Sequence, residues 1–183
     1  MIDTGDTAFL LLSAALVLFM TPGLAFFYGG LARSKNVVNT MMMSLVAMGV
    51  VTVQWVLWGY SLAFAPNATV FGSVLGSFDW VGLNGVGLLP SEAYSPTIPH
   101  QAFMIYQAMF AIITPALISG AIVERMKFKA YVIFIFLWST LAYDVVAHWV
   151  WGVGGWLRTM GALDFAGGTV VHVNAGVAAL VVR

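Results

Sequence analysis

The sequence predicts an all-α integral membrane bundle of five helices, and three observations predict it. Hydrophobic residues fill 61% of the 183 positions and charged residues only 8%. Soluble domains carry roughly 25% charged residues, so a water-facing surface of ordinary size cannot be built from this composition. Five apolar stretches approach or exceed the length of about 20 helical residues that a bilayer core requires. Basic residues gather in alternate connections between those stretches.

The stretches run over 8–31, 37–65, 101–123, 130–152 and 165–182. Ahead of the first, Asp3 and Asp6 stand where a secretory signal would carry basic residues, so the segment from Ala8 reads as a retained membrane helix. Residues 66–99 are rich in Gly, Ser, Asn and Pro, the composition of an extramembrane loop with a short helix inside it. The other connections are short, so residues 1–183 form a single membrane domain. Within the loop, Asn67-Ala68-Thr69 matches a glycosylation sequon, a motif short enough to recur by chance.

Charge placement sets the topology. Arg33, Lys35, Arg125, Lys127, Lys129 and Arg183 fall on one side of a five-span chain, and Arg158 alone on the other. Basic residues mark the cytoplasmic side, which puts the amino terminus and the 66–99 loop outside. An odd number of spans with ends on opposite sides has the form of one inverted repeat of a transporter. No second repeat is visible here, so the sequence reads as an amino-terminal half, cut within its fifth helix. Seven basic and seven acidic residues give no net charge, which argues against a nucleic-acid partner. Without cysteine there are no disulfides or thiolate metal sites, and no cofactor is implied.

Polar residues inside the spans carry the functional argument, because hydrocarbon penalises them unless they face partners or a pathway. Asp144, His148 and Trp151 share a face of the fourth span, at i, i+4 and i+7. The first two read as a self-satisfied pair. On the third span Tyr106, Phe110 and Ile113 share a face, with Gln107 and Thr114 close to it. His172 lies four residues from both Gly168 and Gly176, a stripe that lets a neighbouring helix approach closely. Asp164 precedes this fifth helix, where its carboxylate can cap the free amides of the first turn. Duller readings stand beside these: Trp149, Trp151 and Trp156 also suit an interfacial belt, His172 a packed position, and Met41–Met43 core filler or a lipid-facing run. An intramembrane enzyme built on His172 and Asp164 would lack a nucleophile or metal-ligand set, so the chain is read as a non-enzyme.

The segment Asp164-Phe165-Ala166-Gly167-Gly168-Thr169-Val170-Val171-His172-Val173-Asn174-Ala175-Gly176 resembles the signature of the ammonium transporter family (Amt/Mep/Rh). Further segments agree in the family's order: Pro22-Gly23, Phe26-Phe27-Tyr28-Gly29-Gly30, Lys35-Asn36, Tyr106-Gln107-Ala108-Met109-Phe110-Ala111, Glu124-Arg125 and Ala147-His148-Trp149-Val150-Trp151-Gly152. The resemblance implies transport of ammonium or ammonia, with methylammonium as a related substrate, through a hydrophobic pore. It places Trp151 and Tyr106 in an outer aromatic cage for the cation and Phe110 in a phenylalanine gate below it. His172 falls at the first of two pore histidines, and Asp164 beside the outer site. It further implies a homotrimer in the plasma or inner membrane, multi-pass in the lipid bilayer. A cytoplasmic PII-type signal protein would act through parts beyond Arg183. The stretch Gly152-Val153-Gly154-Gly155 departs from the plain triple glycine of many relatives by one residue, which leaves Trp149 and Trp156 as competing alignments for the cage. An ammonium-sensing membrane domain of a signalling protein is the alternative function.

Overall fold

The computed structural model describes residues 1–67, 69 and 71–183. Ala68, the middle of the sequon, and Val70 lie outside the described residues. The first membrane helix is α1 (Thr4–Leu31), opened by Asp3, whose side chain accepts from the Asp6 amide at 2.8 Å. The second comprises α2 (Val37–Gln54), a π-helical turn Trp55–Gly59, and α3 (Tyr60–Phe64). The third is α4 (His100–Ile118), closed by a 3-10 turn Ser119–Ile122. The fourth joins α5 (Phe128–Trp138), a second π turn Ser139–Tyr143, and α6 (Asp144–Trp151), and the short α7 (Trp156–Thr159) follows. The fifth opens with a π turn Gly168–Val173 and continues as α8 (Asn174–Val182).

Four of these helices are long and apolar enough to cross a bilayer, and the fifth is a shorter apolar helix, Gly168–Val182. α1 packs on α2 and α4, α2 also meets α5, and α8 lies along α4. The third helix shows how backbone groups are satisfied without water. Its last turn tightens to 3-10 geometry, which leaves carbonyls without their usual helical partners. The hydroxyl of Tyr131 donates to Pro115 O at 3.0 Å and that of Tyr28 to Leu117 O at 3.1 Å. Gly120 makes the second contact possible, since a Cβ there would lie 2.5 Å from the Tyr28 ring.

The two ends of the bundle sort the charges as the sequence implies. At one end the Arg33 backbone amide (3.2 Å), Arg33 Nε (2.5 Å) and Asn36 Nδ2 (2.8 Å) all donate to the Glu124 carboxylate, and Arg33 Nη2 pairs with it. Arg125 reaches Arg183 O at that end. At the other end the Asp3 amide donates to Thr97 O, tying the amino terminus to the long loop. That loop holds a 3-10 turn Val81–Leu83 as its short helix. It also holds two antiparallel strands, β1 (Pro90–Ser91) and β2 (Ser95–Pro99), which the sequence reading lacked.

Three local expectations change. Asp144 and His148 do not pair with each other. Gln54 Nε2 donates to Asp144 at 2.6 Å, while the His148 ring nitrogens lie 3.0 Å from Ala63 O and 2.8 Å from Gly72 O. The second helix and the loop supply better placed partners than the helix's own next turn. The fifth helix begins at Gly168 and not at Phe165, because Gly167 is left-handed (φ 74°), a conformation that cannot extend a right-handed helix. Among the described residues the Gly168–Gly176 stripe meets no neighbouring helix: a Cβ at Gly176 would touch nothing within 4 Å, and one at Gly168 only Asp164. The methionine run divides, with Met43 buried, Met42 exposed and Met41 against Gly29.

Two outcomes follow from this packing. Gly120→Ala drives a methyl into the Tyr28 ring and lowers stability by about 1–3 kcal/mol, read as a fall in the thermal midpoint in detergent. The donors from Arg33 and then Asn36 hold the Glu124 carboxyl down at about 2, against an ordinary value of 4.5. A depressed carboxyl contributes stability above its ordinary value and loses it as pH falls through the folded one. The stability difference between wild type and Glu124→Gln therefore shrinks between about pH 4.5 and about pH 2, measured by melts across that range.

Candidate functional site

A cleft of about 420 Å³ opens at the loop end of the bundle. The third helix contributes Phe103, Tyr106, Gln107 and Phe110 to its wall, which their spacing places on adjoining faces. The end of α6 contributes Val150 and Trp151, and the segment leading to the fifth helix contributes Asp164 and Gly167. Rings dominate. Tyr106 and Phe110 meet edge to face at 5.0 Å, and Phe110 and Trp151 at 6.1 Å.

Asp164 organises the far wall. Its carboxylate accepts from the amides of Gly168 (2.7 Å), Thr169 (2.9 Å) and Val170 (3.0 Å), the orphan donors of the fifth helix's first turn. Its backbone oxygen accepts the Trp151 indole N–H at 3.0 Å. One residue thus starts a helix with its side chain and orients a ring with its main chain. The turn between them needs Gly167, whose φ of 74° favours glycine.

Two further residues, which sequence reasoning left out of the site, hold the Trp151 end. Arg158 donates through Nη1 to Trp151 O and lies 5.5 Å from the centre of the Tyr94 ring. Tyr94 donates its hydroxyl to Phe64 O and accepts from the Val153 amide, both at 2.7 Å. Burial pushes this phenol up to about 12, so it stays protonated and can do both. The only signal for Arg158 was its isolation as the one basic residue on this side. Tyr94 gave none, because its partners lie 30 and 59 residues away in the chain.

The structure thus brings Tyr106, Phe110, Trp151 and Asp164 around one cleft. Trp149 and Trp156 pair with each other at 5.7 Å and line a different, smaller cleft beside Val173 and Val177. Ile113 and Thr114 are buried in the packing below. His172 lies apart on the exposed face of the fifth helix, with Nδ1 3.2 Å from Gly167 O. Among the described residues no group of His, Asp and Glu side chains could hold a metal ion.

Apolar helices of membrane length around an aromatic cleft at one end define a polytopic membrane protein. The chain belongs to the Ammonium Transporter Family, whose profile matches residues 8–183. It is 55% identical over 177 residues to an ammonium transporter of Bacillus subtilis, covering 97% of this chain and 42% of that protein. It is 42% identical to ammonium transporter 1 of Schizosaccharomyces pombe, covering 97% and 35%. The crystal structure of Saccharomyces cerevisiae Mep2 superposes with a TM-score of 0.89 at 38% identity, over 98% of this chain and 39% of that one. A protein described as a sensor Amt protein matches at 0.84 and 25% identity, over 96% and 42%. The chain therefore spans about two fifths of the length of these relatives.

Removing the Asp164 carboxylate strips three amides of their acceptor at once. Asp164→Ala lowers thermal stability by about 2 kcal/mol, the upper end of the range for a helix cap. Asp164→Asn, which keeps one oxygen, lies between. Melts of the three proteins that coincide would contradict this role.

Proposed function

We propose that the chain forms the capturing half of an ammonium transport pathway. The convergence of Tyr106, Phe110 and Trp151 on one cleft carries this reading. An aromatic face attracts a cation by up to about 2 kcal/mol when water is excluded. Stripping an ion of its water costs far more than that, so the cleft recruits ammonium but cannot draw it through hydrocarbon as an ion. Ammonium gives its proton to water in the cleft beside Phe110, and neutral ammonia continues along an apolar path. His172, on the exposed face of the fifth helix, has Nδ1 turned to Gly167 O and offers that path its other ring nitrogen.

The Asp164 carboxylate is occupied by three amides, so it acts on the cation at longer range and as support for Trp151. The side with six basic residues faces the cytoplasm, which turns the cleft and the amino terminus outward. Exposed large side chains such as Phe9, Phe19, Leu180 and Val181 suit contact with lipid or with further protein. A homotrimer and a PII-type cytoplasmic partner belong to the same proposal, on the family resemblance alone. An ammonium-sensing role has weaker support, since the sensor Amt protein shares 25% identity against 55% for the Bacillus subtilis transporter.

Uptake of labelled methylammonium by the natural full-length protein in cells lacking other ammonium transporters tests the reading. Trp151→Ala raises KM roughly ten-fold through loss of its ring face, while Trp149→Ala changes it little. Wild-type kinetics in Trp151→Ala, with loss in Trp149→Ala, would place capture at a different site.

A further inference from the structure

We propose that Gln107 is the hydrogen-bond acceptor that holds the captured cation at the neck of the cleft. The inference rests on the capture reading and adds what the aromatic rings cannot supply. Gln107 lines the cleft, next to Tyr106 in the chain and one turn before Phe110. It therefore sits at the level where an incoming ion leaves the open mouth and meets the closing ring. Its Oε1 atom is buried and has no hydrogen-bond partner. A buried amide carbonyl left unpaired is costly, and such an atom in a cleft invites a donor.

Several other acceptors around the cleft are taken. Both carboxylate oxygens of Asp164 receive amides, and its backbone oxygen receives Trp151. Trp151 O receives Arg158, Phe64 O receives Tyr94, and Phe110 O receives Thr114. The Tyr94 hydroxyl already accepts from Val153, and the Arg158 guanidinium can only donate. Among the described residues that line the cleft, Gln107 alone has a buried side-chain acceptor without a partner.

Ammonium and its methylated forms carry N–H groups that each want an acceptor when water is removed. Ring faces give them attraction without direction. One fixed carbonyl beside three rings gives a directed bond to a single N–H. Potassium, which prefers a shell of several oxygens, gains less from the same arrangement. Gln107 is thus assigned to cation selection as well as to affinity.

The test is methylammonium uptake by the natural full-length protein, with ammonium and potassium as competitors and membrane levels matched by immunoblot. Gln107→Leu removes the oxygen. It raises KM about ten-fold, the size of one hydrogen bond to a charged donor, leaves Vmax within about two-fold, and narrows the preference for ammonium over potassium. Gln107→Glu restores an acceptor and brings KM back to wild type or below. Gln107→Met, which keeps the length but offers no oxygen, replaces Gln107→Leu if that variant does not reach the membrane. An unchanged KM in the variants without oxygen, while Trp151→Ala still raises it, would overturn the role of Gln107 and leave the capture reading standing. Equal losses in Gln107→Leu and Gln107→Glu would reduce Gln107 to packing. Saturable uptake absent from wild type itself would instead remove the capture reading and this inference with it.

Discussion

The first amides of a helix have no acceptor within it, and each needs a partner from outside. The fifth helix starts with three such amides, and one carboxylate accepts them all. Because Asp164 must sit over that first turn, its backbone oxygen comes to lie where the Trp151 indole can reach it. The direction of the Trp151 ring, and so the shape of the cleft against Phe110, depends on where the fifth helix begins.

The rest of the outer end keeps that arrangement closed. His148 bridges the end of the second helix and the long loop through two carbonyls. Tyr94 ties the same helix to the turn after Trp151, and Tyr60 meets His100 at 2.6 Å beneath them. These side chains are polar groups in an apolar setting, yet they serve the scaffold. Buried polar residues in a membrane protein are a default sign of function. Around the cleft the distinction comes from whether each buried atom is already partnered. Both ring nitrogens of His148 face carbonyls, whereas the Gln107 oxygen in the cleft has no partner.

Much of this was legible in the sequence. The apolar runs, the six-to-one basic asymmetry and the Asp–Gly-rich start of the fifth helix are local signals, and the helices, the charge sorting and the Asp164 cap follow them. The partners of Asp144 and His148 were not legible, because Gln54, Ala63 and Gly72 lie 76 to 90 residues away. Helical spacing offered only the nearer and weaker pairing. The π turns at Trp55–Gly59 and Ser139–Tyr143 leave no trace in a continuous apolar run. The hairpin of Pro90–Ser91 with Ser95–Pro99 hides behind three prolines that read as loop. The family resemblance pointed to Trp151, but separating it from Trp149 and Trp156 needed the turn geometry that a glycine-rich stretch does not reveal.

The Asp164 carboxylate is held by backbone and is not a free charge at the mouth. Amide hydrogen exchange at Gly168, Thr169 and Val170, in the membrane-reconstituted protein, tests this most directly. Those three amides are expected to be protected to a degree comparable to that within Asn174–Val182. Exchange at the rate of the exposed loop residues Leu163 and Phe165 would show the carboxylate disengaged and contradict it.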